Sequence, residues 1–115
     1  MWNKPFQEEL SALPRPKATL PLEEPERIIR MHFYLGTRHW YVAAYEPASS
    51  MFFGYVVDDR ELPRATWTYF RLDDLLRARA NNGFEVDRSM SWRPCRASSV
   101  IRDATTSSAR TGYEH

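Results

Sequence analysis

The chain has 115 residues, long enough for one domain with a single core but not for two. Its 43% hydrophobic and 14% aromatic residues exceed what a disordered chain carries. A net charge of +1, from 16 basic and 15 acidic residues, argues against binding DNA through a broad basic surface.

The N-terminal region predicts one short helix and an irregular crossing. Residues 5–13 place Phe6, Leu10 and Leu13 on one helical side, and the prolines that follow end the helix. The proline-rich segment 15–25 contains too little Gly or Ser for a flexible linker. We therefore expect it to be ordered but irregular.

Three strands follow, and they are joined by short turns. Residues 27–35 and 39–46 pair antiparallel through the turn at 36–38, and a second turn at 46–50 leads into a strand at 51–57. Both faces of this third strand are apolar, which predicts a central position covered on both sides. The first strand alternates with period two, so one predicted face carries Ile29, Met31, Phe33 and Leu35.

The second half of the chain adds a strand at 66–71, a helix at 72–80 and a strand at 84–92. Leu72, Leu75 and Leu76 give the helix an apolar stripe that can pack on a sheet. We predict a single α+β domain over residues 1–95: a mostly antiparallel sheet of about five strands, one main helix and a short N-terminal helix. Residues 96–115 are rich in Ser, Thr and Ala, so we expect a disordered tail.

Several short motifs, in order, give the chain a family resemblance. The motifs are Leu13-Pro14, Phe33-Tyr34, Trp40-Tyr41, Tyr45-Glu46, Phe52-Phe53-Gly54, Tyr69-Phe70-x-Leu72-x-Asp74-Leu75, Val86-Asp87-Arg88 and Trp92-x-Pro94. With these motifs the chain resembles an uncharacterised family of small proteins, a domain of unknown function, encoded mainly on bacterial plasmids and integrative conjugative elements. The resemblance implies a mobile-element protein, often encoded near antirestriction and single-strand-binding genes.

The chain departs from the family pattern at two acidic positions. The family usually has Glu-Leu-Gly where this chain has Thr66-Trp67-Thr68, and Glu-Arg-Asp where it has Asp87-Arg88-Ser89. If the acidic pair of the family performs chemistry, this member lacks one of its carboxylates.

Three polar residues interrupt otherwise apolar strands and also match the family pattern. Glu46, Asp87 and Arg88 would form a carboxylate–guanidinium cluster if the fold brings them together, suited to ligand binding or acid–base work. The alternative is an ordinary structural ion pair. His32 and His39 flank the first turn and could bind zinc with Glu46, but metal sites need further convergent ligands. We predict neither a metal nor a cofactor, and no catalytic residue.

A set of large aromatic residues allows three interpretations. On one exposed face beside arginines, they would stack bases of single-stranded nucleic acid. Large aromatics more commonly form the core, and a third interpretation is a protein interface. The set comprises Trp40, Tyr41, Tyr45, Trp67, Tyr69 and Trp92.

The remaining features concern reactivity and location. Cys95 is the only cysteine and lies between Arg93 and Arg96, whose charges could lower the pKa of its thiol, but no His is placed with it and we expect no catalytic cysteine. No apolar run reaches the ~20 residues that span a bilayer, and the N-terminus lacks the apolar core of a signal peptide. We expect a cytoplasmic protein with no membrane partner.

The sequence favours a non-enzymatic binding protein of a mobile element that acts by contact with another protein. The alternative is a single-stranded nucleic-acid-binding protein that uses the aromatic and arginine face. The weakest alternative is a small hydrolase or nuclease. We expect the binding residues among Trp40, Tyr41, Glu46, Tyr69, Asp87, Arg88 and Trp92.

Overall fold

The computed structural model describes residues 1–101, apart from the side chain of Pro63, and has the predicted α+β architecture. Three short 3-10 helices connect the regular elements at Glu24–Glu26, Leu62–Arg64 and Ala97–Ser99. The helices are α1 (Gln7–Ala12), α2 (Pro16–Thr19) and α3 (Leu72–Arg77). The strands are β1 (Ile28–Ile29), β2 (Met31–Leu35), β3 (Arg38–Glu46), β4 (Met51–Asp58), β5 (Thr66–Arg71), β6 (Asp87–Arg88) and β7 (Cys95–Arg96).

The main sheet has five antiparallel strands in the order β5-β4-β3-β2-β6, and β1 pairs separately with β7. The predicted fold class is therefore confirmed. Neighbouring strands along the chain pair with each other because the turns between them are short. This order leaves β5 at one edge of the sheet and the two-residue β6 at the other.

Both faces of the sheet are covered, as the apolar sequence of β4 predicts. On the first face, α1 and α3 contribute Leu10 and Leu75 to the larger core. On the second face, the chain that follows β7 contributes Ala97 and Val100 to a smaller core. The larger core is built mainly on Phe33, Trp40, Val42, Tyr45, Phe52 and Phe70, and the smaller one on Ile29, Tyr41, Ala43, Tyr55 and Val57.

The predicted first strand is divided in two at Arg30, which lies between β1 and β2. Met31 lies in the larger core but Ile29 lies in the smaller one, so the prediction that they share a face is wrong. One irregular residue shifts the alternation by one position and sends the side chains before it to the opposite face.

Two further boundaries, and the burial of one residue, differ from the sequence prediction. The fifth strand is only Asp87–Arg88, because the chain turns back where the amide of Trp92 donates to the carbonyl of Ser89, 3.2 Å away. The main helix ends at Arg77, since Ala78 is extended. Phe6, expected on the buried side of the first helix, is 72% exposed.

The domain continues beyond residue 95, where the sequence analysis ended it. The strand Cys95–Arg96 pairs with β1, and Ala97 and Val100 are buried. The composition of residues 96–115 as a whole is polar, so it gave no sign of the two small apolar residues at the start of the segment. The rest of the predicted tail, 102–115, lies outside the described residues. Within residues 1–101, none of the helices combines the length and apolarity needed to cross a membrane.

Candidate functional site

The predicted aromatic set does not form a common exposed surface. Trp40 and Tyr45 are buried in the larger core, whereas Tyr41 is buried in the smaller one. Trp67 and Trp92 are partly buried against the smaller core. Tyr69, at 47%, is the one member of the set with a largely exposed side chain. Most of the set therefore stabilises the fold.

Arg88 forms an ion pair, but its partner is a residue that the sequence analysis did not associate with it. Its side chain is 7% exposed, and its guanidinium donates to both carboxylate oxygens of Glu9, on α1, at 2.9 and 3.3 Å. The hydrogen bond from Arg88 is the main cause that lowers the pKa of Glu9. The pair attaches α1 to the β6 edge of the sheet.

Hydrogen-bond donors hold the Asp87 carboxylate, and among residues 1–101 no cation pairs with it. Its carboxylate accepts hydrogen bonds from the Asn3 amide at 2.8 Å, the Tyr34 hydroxyl at 3.1 Å and the Arg88 backbone amide at 2.7 Å. Burial alone would raise the pKa of Asp87, but these donors outweigh it and lower the pKa. Glu46 ends β3 beside the turn to β4, so the structure does not assemble Glu46, Asp87 and Arg88 into one cluster.

Glu46 and Tyr69 do come together, in an open groove of about 690 Å³ between α2 and β5. Register explains their proximity, because Glu46 is opposite Met51 while Phe53, two residues further along β4, is opposite Tyr69. The groove is lined by apolar side chains with two cations and one anion: Pro16, Leu20, Met51 and Tyr69, with Arg15, Lys17 and Glu46, and also Ser49.

The wall of the groove is fixed by hydrogen bonds between the segment before α2 and the end of β3. The amide of Tyr45 donates to the carbonyl of Pro14 at 2.9 Å. The guanidinium of Arg15 donates to the carbonyls of Leu13 and Tyr45 at 2.7 and 3.1 Å. These bonds hold α2 beside the sheet, so the groove is preformed.

The second side of the groove is β5, an edge strand. Among residues 1–101 no strand pairs with its outer edge. Leu72 donates its amide to the Ser50 carbonyl at 3.1 Å, and these two residues lie opposite each other in the register. Alternate residues face the partner in an antiparallel pair, so the amides of Trp67, Tyr69 and Arg71 point outward. Threonine hydroxyls of the same strand donate to the outward carbonyls of Trp67 and Tyr69, at 3.2 and 3.3 Å.

A row of four polar side chains crosses the second face of the sheet. The Oγ of Ser89 lies 2.7 Å from Nδ1 of His32, whose Nε2 lies 2.9 Å from Nδ1 of His39. Nε2 of His39 lies 3.0 Å from a carboxylate oxygen of Asp59. The two histidines that suggested a zinc site are therefore hydrogen-bonded to each other, and Glu46 lies elsewhere, at the turn between β3 and β4.

Sequence reasoning gave no role to Ser89 or Asp59, because each directly follows a strand and Ser89 was noted only as a departure from an aspartate of the family pattern. Register provides the only signal. Ser89 lies opposite His32 in the extension of β6, where its amide donates to the His32 carbonyl at 3.0 Å. His39 is opposite Val57, so Asp59, two residues later, lies on the same face.

Two further sequence interpretations can be compared with the geometry. Burial raises the pKa of the Cys95 thiol, which corrects the expectation that the flanking arginines lower it. Arg96 forms an ion pair with Glu26 at 3.5 Å, and the negative carboxylate offsets part of the effect of the Arg96 charge on the thiol. In the described part of the chain, no three His, Cys, Asp or Glu side chains converge as a metal site would require.

Comparison with known proteins finds no protein-family model, no curated protein and no solved structure that matches this chain. The resemblance to the mobile-element family therefore stays a prediction from the sequence motifs.

Proposed function

We propose that this chain is a small binding protein that acts by contact with another protein, and that it takes an extended segment of that partner as an additional strand on β5. The observation that carries the proposal is the open edge of β5 beside a preformed groove. The family resemblance suggests an accessory or inhibitory role in the defence or conjugation functions of a mobile element.

The backbone of β5 suits strand addition. Its six residues contain no proline, and its one charged side chain, Arg71, is at the end. Proteins usually protect long edge strands with charges, prolines or bulges, because unpaired amides and carbonyls recruit other strands. The outward amides of Trp67 and Tyr69 provide donors for a partner, which would replace the weak threonine bonds to the carbonyls.

The groove supports a preference for particular side chains. A strand added beside β5 would place every second side chain on the face that carries Tyr69, at the margin of the groove, whose apolar lining also includes Leu20 and Met51. Arg15 and Lys17 outnumber Glu46 among the charged lining residues. We therefore expect a partner segment in which apolar and acidic side chains alternate.

The placement of the aromatic set favours a protein partner over nucleic acid. Stacking of successive bases needs exposed rings, and Trp40, Tyr41 and Tyr45 are each less than 9% exposed. Within the predicted aromatic set, Tyr69 is the one residue with a largely exposed ring. A groove with mostly apolar lining and only two cations offers little to a phosphate backbone.

A peptide-binding measurement with matched variants tests the proposal. The probes are fluorescent seven-residue peptides in which Val alternates with Glu or with Lys, measured by anisotropy against the full chain. We expect the Glu peptide to bind, and we expect the affinity of the Lys peptide to be lower by a factor of about ten or more. Tyr69→Pro removes an outward amide without touching the ladder to β4, so it should abolish binding.

Tyr69→Ala is the matched control, since it removes the ring but keeps the amide. It should weaken binding less than Tyr69→Pro. Equal binding of the Glu peptide by Tyr69→Pro and the unmodified chain would contradict strand addition on β5. Salt-sensitive binding of a labelled oligothymidine, with no binding of either peptide, would favour the nucleic-acid alternative instead.

A further inference from the structure

The row of Ser89, His32, His39 and Asp59 has the hydrogen-bond polarity of an activated serine. The carboxylate of Asp59 only accepts hydrogen bonds, so Nε2 of His39 carries a proton. In the neutral ring Nδ1 of His39 then accepts from Nε2 of His32. Nδ1 of His32 is left as an acceptor, and the hydroxyl of Ser89 donates to it. Each group donates to the next, from the serine to the carboxylate.

The rings that form this row are held rigidly. His32 is buried and stacks on Tyr41, with ring centroids 4.6 Å apart and planes 11° from parallel. Trp92 covers His32 with its centroid at 5.1 Å, and its indole nitrogen donates to the carbonyl of Ile29 at 3.1 Å. The ring of His39 lies beside that of His32, with centroids 5.1 Å apart and planes 14° from parallel. Packing on several sides fixes the orientation that proton transfer requires.

Ser89 is only half-buried and borders a surface depression of about 140 Å³. The depression is also lined by Arg30, whose guanidinium forms no ion pair within residues 1–101. Met90 and Trp92 give it apolar walls. A cation beside a serine nucleophile can stabilise the negative charge that develops on an attacked carbonyl oxygen. The volume suits a small acyl group.

We propose that Ser89 is an acyl-accepting nucleophile and that the depression beside it takes short-chain carboxylic esters. This inference is independent of strand addition on β5, which uses different residues. His32 acts as general base and acid, while His39 and Asp59 are positioning residues that hold its tautomer and stabilise its charged form.

The proposed steps conserve atoms and protons. The Oγ of Ser89 bonds to the carbonyl carbon as its proton passes to Nδ1 of His32. The ester C–O bond then breaks, and the leaving alkoxide takes the proton from His32. The oxygen of a water molecule then bonds to the acyl carbon as its proton passes to Nδ1 of His32. The bond between that carbon and Oγ of Ser89 breaks, which releases the carboxylic acid, and His32 returns the proton to Oγ.

The test is hydrolysis of p-nitrophenyl acetate by the full chain, with mass spectrometry to locate the acetyl group. We expect an initial burst of nitrophenolate and an acetyl group on Ser89. Ser89→Ala should lose about 100-fold in kcat or more. Ser91→Ala is the matched control, because Ser91 is exposed and takes no part in the row, and it should keep full activity.

The positioning residues need a measurement that a purely structural role would not change. His39→Gln and Asp59→Asn should lower kcat about tenfold or more at unchanged KM and shift the acid limb of the pH–rate profile. A fluorophosphonate probe applied to the unmodified chain covers the case in which Ser89→Ala fails to fold. Labelling of other residues with Ser89 unlabelled, or hydrolysis that survives in folded Ser89→Ala, would overturn the proposal.

Discussion

Gly54→Ala should unfold this protein or cost more than about 3 kcal/mol of its unfolding free energy. A Cβ atom at Gly54 would lie 2.0 Å from the backbone carbonyl oxygen of Tyr41 and 3.1 Å from the Cα of Val42. Both atoms belong to β3 at the centre of the sheet, so neither can move aside as a flexible side chain could. The close approach occurs where the register of β3 and β4 shifts between Val42 and Ala44.

Gly36→Ala is the matched control for this substitution. Gly36 has a φ of +60°, but no atom lies within 4 Å of its added Cβ. Its cost is therefore only that of a left-handed backbone, roughly 1 kcal/mol. Thermal unfolding followed by circular dichroism compares the two. A Gly54→Ala protein that unfolds within a few degrees of the original would contradict the close approach of β3 and β4.

Phe52→Ala should lower the free energy of unfolding by about 3–5 kcal/mol. Phe52 is fully buried, and its ring centroid lies 5.6 Å from that of Phe33, 4.9 Å from Tyr45 and 5.4 Å from Phe70. These four rings come from the four neighbouring strands β2, β3, β4 and β5. Removing the central ring leaves a cavity that the paired strands cannot close.

Urea denaturation measures this loss, and Phe6→Ala provides the comparison at an exposed phenylalanine. The expected change for Phe6→Ala is within about 0.5 kcal/mol. If the two substitutions have similar effects, Phe52 is not the centre of the larger core.

The sheet was predictable because its strands are long, alternate clearly and are joined by short turns. The two apolar faces of β4 indicated coverage on both sides, which Phe52 and Phe53 confirm by lying in opposite directions and both being buried. The break at Arg30 was not predictable, since the apolar alternation continues through it and only the pairing with β7 reveals it. The same pairing extends the domain to residues that composition assigned to a tail.

The candidate sites were harder to predict, because they depend on which strands become neighbours. Glu46 and Tyr69 were both proposed from sequence, but only register shows that they line one groove. The sequence analysis expected Arg88 to pair with Glu46 or Asp87, which lie on strands. Its partner is instead Glu9 of α1, which is 79 residues away in the sequence. His32 and His39 were recognised as a pair, yet their partners Ser89 and Asp59 follow strands whose order no local pattern specifies.

Amide hydrogen exchange along β5 tests most directly whether this edge is open for a partner. We predict that the amides of Trp67 and Tyr69 exchange about 100-fold faster than those of Thr68 and Phe70, which face β4. Adding the alternating Val–Glu peptide should then protect Trp67 and Tyr69 selectively. Equal protection of all four amides in the free protein would mean that the edge is already covered, and would contradict strand addition on β5.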